Sequence, residues 1–355
     1  MSHVGGRAPG GTYPQKVRLV RIAVLGAGNI GCYIGGRLQA NGHDVVYIGR
    51  EPLRQEAASY GITLSDYRGW SINLAPGDCE VSTSPAAVAD ADITLVTTKS
   101  AGTVAAANDL GVFSTHRSTV VSLQNGVRNV DELTRRLSGH VVVPGMVPFN
   151  VAKIHPAHFH QGSQGKIVIA AGHPKLVTIL RAAGLAVGTH TDMAAVQWGK
   201  LVMNLNNAVN GLARLPLKEQ LGQRLYRRVY AMAQREALQI LRAYGQSVVS
   251  PILAPLTFLP LALDTPDAVF STFAKRVVAI DPKARSSLHD DLAAGKPTEI
   301  DYINGEIVTI AEHLGLRAPV NQTLVDLVHS AEESSTRHWS GRELISAVAT
   351  SKSGL

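Results

Sequence analysis

Residues 22–50, IAVLGAGNIGCYIGGRLQANGHDVVYIGR, constrain the fold more than any other stretch of the chain. An apolar β-branched run opens into three spaced glycines, a helical segment and a second apolar run that ends in arginine. This order predicts a βαβ unit that holds a dinucleotide. Ile22 to Leu25 form the first strand and Val45 to Ile48 the second. Gly26 permits the tight turn, Gly28 leaves bare backbone for a pyrophosphate to approach, and Gly31 lets helix and strand pack closely. Asn29 and Ile30 stand between them at the helix start. There the backbone N–H groups lack intrahelical partners and the helix dipole favours an anion.

A glycine triad alone says little in a chain with 33 glycines, so its setting between two strands about thirty residues apart carries the argument. Cofactor choice is read at the end of the second strand. An acid there would bind the ribose hydroxyls of NAD, whereas Arg50 can pair with a ribose phosphate. NADP is therefore the expected cofactor, and Glu51 is the residue that would favour NAD instead.

With 355 residues, 45% of them hydrophobic, the chain can bury a large core and is expected to form two domains. The apolar stretch Ile252 to Leu263 is broken by Pro255 and Pro260 and is too short to span a bilayer. No membrane partner is expected. The first twenty residues are glycine-rich and polar, lack the apolar segment of a secretory signal, and read as a disordered extension. Two cysteines, Cys32 and Cys79, make no disulfide framework and fit a cytoplasmic protein. Cys32 lies near a helix N-terminus, which could lower its pKa, although packing is the simpler role. The net charge of +7 raises the question of nucleic acid. Apart from two Arg pairs the basic residues are scattered singly, without aromatic interleaving, so nucleic acid is not an expected partner.

After the first βαβ unit, Gly61 to Pro76 alternates around Asp66 and Gly69 as in a hairpin. Strands are then expected at Ile93 to Thr97, Thr119 to Leu123, Val141 to Val147, Lys166 to Ala171 and Ala186 to His190. In doubly wound sheets ligands lie beyond the carboxyl ends of strands, which puts Lys99 and Asn125 beside the cofactor. From about Met193 the pattern becomes helical, interrupted by prolines 251, 255, 260 and 266. The fold class is α/β: an N-terminal Rossmann-type dinucleotide-binding domain (21–192) followed by an all-helical domain (193–335), with a weakly held tail (336–355). The active site belongs in the cleft between the two domains.

On the helix that starts near Ala194, Lys200, Asn204 and Asn207 fall at i, i+4 and i+7 and share one face. The rest of that helix is apolar, so the polar stripe either faces water or lines a polar cleft, and the cleft is favoured because a buried lysine requires a partner. In KPTEIDYING, Glu299 follows the helix-start signals Pro297 and Thr298; an acid in a first turn also simply complements the dipole. Ser287 has an equally plain reading as a first-turn residue. HPAHFH groups His155, His158 and His160, but no fourth ligand or cysteine partner accompanies them, and no metal site is expected.

Taken in order, GAGNIG, the lysine of TTKS, the QNG turn, WGKLVMN and SSLHDDLAAGKPTEIDYING resemble the ketopantoate reductases, or 2-dehydropantoate 2-reductases, over residues 21–330. The resemblance implies NADPH-dependent reduction of a small 2-oxo acid. It implies Lys200 as general acid and Glu299 as its acidic partner in contact with the substrate. Asn125, Asn204 and Ser287 would position substrate or nicotinamide, Lys99 would border the cofactor, and Arg50 would meet the ribose phosphate. Two places depart from the family pattern: Ala208 stands where a second asparagine is expected, with Asn207 beside it, and VPFN (147–150) replaces a small hydroxyl-rich segment. Both leave the reaction class in place and leave the substrate open between ketopantoate and another 2-oxo acid or related carbonyl compound; a non-catalytic NADP-binding sensor is the alternative from a different class, and the intact Lys200 and Glu299 argue against it. A monomer and a homodimer are equally compatible with the sequence.

Overall fold

The structure, a computed structural model, describes residues 19–251, 254–270, 284–334 and 337–353. Its first half is an eight-stranded sheet. The strands are β1 (Arg21–Leu25), β2 (Asp44–Ile48), β5 (Glu80–Ser82), β6 (Ile93–Val96), β7 (Thr119–Ser122), β8 (Val141–Met146), β11 (Ile167–Ala170) and β12 (Val187–His190). Their order is β12-β11-β8-β7-β6-β1-β2-β5. The pairs from β8 to β5 are parallel, and β11 joins β8 antiparallel. Both faces are covered. In β1, Ile22 and Val24 pack on one side while Ala23 and Leu25 pack on the other, and Val45/Tyr47 and Val46/Ile48 divide in the same way in β2. A strand buried on two faces reads as a continuous apolar run, which is why the strands other than three-residue β5 were expected within about a residue of where they lie.

Helix α1 (Asn29–Ala40) and α5 (Pro174–Ala182) lie with the first layer, and α3 (Thr103–Phe113) and α4 (Asn129–Arg136) with the second; α2 (Glu51–Tyr60) follows β2. The expected hairpin is present as β3 (Ile62–Asp66) and β4 (Ser71–Leu74), but it belongs to a second sheet. That sheet has the order β4-β3-β10-β9 and includes β9 (Val151–His155) and β10 (His158–Gln161), where no strands were expected. It packs on α1 so closely that a Cβ on Gly36 would lie 2.6 Å from Leu64 Cδ1.

The last strand ends at His190, and helices follow: α6 (Met193–Asn204), α7 (Asn206–Ala213), α8 (Leu217–Gly222), α9 (Arg224–Ala243), α10 (Leu259–Leu263), α11 (Ser287–Ala293), α12 (Asn304–His313), α13 (Pro319–Glu333) and α14 (Gly341–Ser353). Twenty-residue α9 runs through their shared core. Buried polar groups hold the helix ends: Glu236 of α9 accepts the backbone N–H groups of Val320 and Asn321 at 3.0 and 2.8 Å, capping α13. Buried Arg227 donates to the carbonyls of Leu263, Leu221 and Thr265.

Three expectations are corrected here. The tail is a helix, α14, that packs on α9 and α13, with Leu344 and Val348 fully buried one turn apart; its Ser/Thr content masked an apolar stripe. Glu299 does not open a long helix: it precedes a single 3-10 turn (Ile300–Tyr302), and α12 starts at Asn304. The helix of Lys200 is interrupted at Leu205, so Asn207 belongs to α7. Of the expected N-terminal extension, residues 1–18 lie outside the described residues.

Candidate active site

Strand order reverses around β1, between β6 and β2, and the glycine loop emerges at that crevice. Gly26 takes φ +89°, and a Cβ there would lie 2.5 Å from Thr98 Cγ2; one on Gly31 would lie 2.4 Å from Thr97 Oγ1 and 2.8 Å from Val24 Cγ1. Gly28 differs: its Cβ would meet nothing nearer than Gly26 O at 3.9 Å. The protein itself makes no demand for glycine at position 28, so the open backbone there forms a cradle that a side chain would fill. Helix α1 beyond it has no side-chain cap and no acid in its first turn, which leaves its N-terminus to an external anion. Asn29 Nδ2 donates to Val151 O at 3.1 Å and ties the loop to the second sheet. Ile30 packs against the core beneath. The residues therefore fit a dinucleotide.

At the end of β2, Arg50 is exposed, and its guanidinium has no partner among the described residues. Glu51 is already engaged. Its two oxygens accept from Arg54 at 2.9 and 2.7 Å and from Gln55 at 3.0 Å, which holds the carboxyl below its ordinary range.

The turn after β7 reaches the helical half. Asn125 Oδ1 accepts from Lys200 Nζ at 2.8 Å, and Asn125 Nδ2 donates to Glu299 Oε2 at 3.1 Å. Glu299 Oε1 accepts the backbone N–H of Ser100 at 2.9 Å. Lysine and glutamate thus lie on either side of one amide rather than in direct contact, and both carboxylate oxygens are used by the protein. Asn125 is itself fixed: its carbonyl accepts from Ser100 Oγ at 2.8 Å and from Asn129 Nδ2, and Gly126 at φ +83° turns the chain away. Burial pushes the Lys200 ammonium down to about 8, while the negative charge of Glu299 opposes that shift.

Lys200 and Asn204, one turn apart on α6, line one pocket with Asn125, Gln197, Met146 and Ile303. Lys99, after β6, is engaged by the helical half, donating to Pro297 O at 2.7 Å and pairing with Asp291 at 2.8 Å. Neither Asn207 nor Ser287 lines the pocket. Asn207 offers its carbonyl to Ser286 Oγ at 3.5 Å, and Ser287 is exposed while its neighbour Ser286 caps α11. Ala208 is fully buried in the helical core. Val147 and Phe149 of VPFN are likewise buried, Phe149 edge-on to Tyr33. Sequence reasoning missed Gln197 and Met146. Gln197 sits three residues before Lys200, and that spacing was the available signal.

The remaining candidates resolve simply. Cys32 is fully buried, its thiol pushed far up by desolvation, which is a packing role. His158 and His160 share the hydroxyl of Ser65, each at 2.8 Å, and no group of metal-ligating side chains occurs among the described residues. Among the same residues no helix is long and apolar enough to cross a membrane.

Comparison with known proteins agrees with this two-part fold. Residues 22–174 match the family model for "Ketopantoate reductase PanE/ApbA", and residues 192–332 match that for its C-terminal domain. A PanE/ApbA family ketopantoate reductase structure from Ralstonia eutropha JMP134 is 30% identical, with a TM-score of 0.75 over 88% of this chain and 98% of its own. The 2-dehydropantoate 2-reductase of Archaeoglobus fulgidus is 26% identical over 89% of this chain and 99% of its own. A D-mandelate dehydrogenase complex with NADH and anilino(oxo)acetate shares the fold, at 19% identity and a TM-score of 0.72 over 88% of this chain and 99% of its own. The chain belongs to the ketopantoate reductase family of oxidoreductases.

Proposed function

We propose that the protein reduces ketopantoate to pantoate with NADPH, using Lys200 as general acid. The observation that carries this reading is the buried Lys200 ammonium, held by Asn125 Oδ1 at 2.8 Å in a pocket at the junction of the dinucleotide crevice and the helical half. A bound reduced nicotinamide supplies hydride to a carbonyl carbon. The protein's part is to orient the acid and manage charge. As negative charge develops on the carbonyl oxygen, Lys200 N–H groups stabilise it and pass over a proton. Asn125 spends its oxygen on Lys200 and its nitrogen on Glu299, so the ammonium keeps one direction and the carboxylate compensates its charge without drawing off its proton.

Gly28 and the uncapped N-terminus of α1 would hold the pyrophosphate, and Arg50 the ribose phosphate. The free guanidinium beside an occupied Glu51 supports NADP over NAD. One observation supports a second reading, a different 2-oxo acid: Ala208, where the family pattern expects an asparagine, is sealed in the core and offers nothing to a substrate. The fold also serves a mandelate dehydrogenase, so fold alone does not select. NADPH oxidation measured against a panel of 2-oxo acids that includes ketopantoate tests the proposal. Preference for ketopantoate supports it, preference for another acid replaces it with the second reading, and no turnover with any acid overturns both.

A further inference from the structure

The pocket contains more polar groups than the lysine relay uses, and most of their hydrogen-bonding capacity is already taken. Gln124 donates to Thr98 O, Thr98 Oγ1 and Thr103 Oγ1 and accepts from Ser122 Oγ. Asn125 has given its oxygen to Lys200 and its nitrogen to Glu299. Three groups keep open capacity among the described residues. Lys200 has remaining N–H donors, Asn204 forms no side-chain bond, and Gln197 forms only one, from Nε2 to Gly145 O at 3.3 Å. A backbone carbonyl can only accept, so the Gln197 nitrogen must face Gly145, and Oε1 is the end left without a partner.

The head of a 2-oxo acid carries acceptors only, its carboxylate and its carbonyl. The Lys200 and Asn204 donors suit both. Gln197 Oε1 is a pure acceptor on a residue nine-tenths buried, and nothing in the 2-oxo acid head can satisfy it. Solvent still reaches Oε1, so a ligand that closes the pocket over it without offering a donor leaves the acceptor unpaired and is disfavoured against one that provides a donor. We propose that Gln197 is a specificity-determining residue: its side-chain oxygen accepts a hydrogen bond from a hydroxyl on the substrate's tail and selects hydroxylated 2-oxo acids over hydrocarbon ones. This inference rests on the reductase reading above, and it moves the reading of the tail from the absent asparagine at 208 to the helical turn before Lys200.

The test uses two acids of matched shape: ketopantoate, and trimethylpyruvate, which has the same branched carbon and lacks only the hydroxyl. The native enzyme should show kcat/KM at least about tenfold higher for ketopantoate, and Gln197→Met should lower that value by roughly two- to tenfold while leaving trimethylpyruvate within about twofold. Pantoate binding in the presence of the oxidised dinucleotide, measured by calorimetry, should weaken by the same factor. Equal effects on the two acids, or none, overturn the assignment. Should Gln197→Met lose both activities, binding with the oxidised dinucleotide decides: a variant that still binds pantoate more tightly than 2-hydroxy-3,3-dimethylbutanoate, which lacks only the tail hydroxyl, overturns the proposal, and one that binds the two alike upholds it. Failure of the reductase reading itself looks different, because the native enzyme would then turn over neither acid.

Discussion

The two halves of the molecule are stabilised by different physics. In the nucleotide-binding half, alternate strand residues feed two apolar layers, and buried polar groups such as Arg37, which donates to Ala183 O and Gly184 O, and Asp66, paired with Arg68, sit around those layers. The helical half instead buries polar groups throughout: Arg227 against three carbonyls, Glu236 on the N-terminus of α13, Asn206 against Gln220, and Asn304 against Asn321. Apolar layers are non-directional and tolerate many sequences, whereas each buried polar group must meet a particular partner. The first half can therefore serve as a general cofactor platform while the second fixes the register of α6 and with it Lys200, the proposed general acid. Beside the apolar seam of Met146 with Met193 and Val196, polar contacts join the halves: Lys99 with Pro297 and Asp291, Ser100 and Asn125 with Glu299, Asn125 with Lys200, and Arg128 with Glu306.

The sharpest separation of the halves comes from Lys200→Ala. Removing the proton donor should lower turnover by about a hundred- to ten-thousandfold, because general acid catalysis is worth that much, while NADPH affinity measured by fluorescence titration stays near native. A parallel fall in NADPH affinity would mean that the halves are not separable in this way. The native enzyme should lose kcat as pH rises through about 8, since its acid titrates there. Over the window from about 8 to the ordinary lysine value of 10.5, the unfolded chain binds the proton that the folded one has released. Stability from this group should thus rise with pH across the interval, opposite to activity. Parallel denaturant melts and rate profiles distinguish the two trends.

Legibility in the sequence follows the same division. The long sheet was readable because strands buried on both faces are apolar runs. Strands β5, β9 and β10 were not: β5 has three residues, β9 is mostly exposed, and HPAHFH in and beside β9 and β10 drew attention as imidazoles. Lys200, Asn204 and Asn125 were found around one pocket, with Glu299 bonded to Asn125 beside it. Asn207 was not, because no glycine or proline marks the break at Leu205 and helical spacing was extended through it. The amide between Lys200 and Glu299 was beyond the sequence, since it depends on a turn in one half meeting a helix in the other. Gln197 was hidden within AAVQWGK, where a buried glutamine reads as an interruption of an apolar run.

Within the first half, Gly31 and Gly28 should respond oppositely. A Cβ on Gly31 would press on Thr97 and Val24 where α1 crosses β1, so Gly31→Ala should destabilise the fold by about 1 to 3 kcal/mol, the usual cost of overpacking. Gly28→Ala has room in the protein and should melt near the native temperature while binding dinucleotide weakly. Thermal melts with and without NADPH check both. If Gly28→Ala bound NADPH normally, the cradle assigned to that position would be wrong.

The smallest effect expected lies at the rim. Arg50→Ala removes an exposed guanidinium that has no partner among the described residues, so stability should not change. Its contact with a ribose phosphate would be charge-assisted but open to solvent, which places it near the low end of such bonds, about 1.5 kcal/mol or roughly tenfold in affinity. NADPH should therefore bind about tenfold more weakly to Arg50→Ala while NADH binding is unchanged, and the difference should shrink as salt is raised. Equal binding of NADPH by the native protein and the variant would remove Arg50 from the cofactor site. With Glu51 held by Arg54 and Gln55, preference for NADP would then have to come from another cation near the loop, and the platform half would be less general than its sheet suggests.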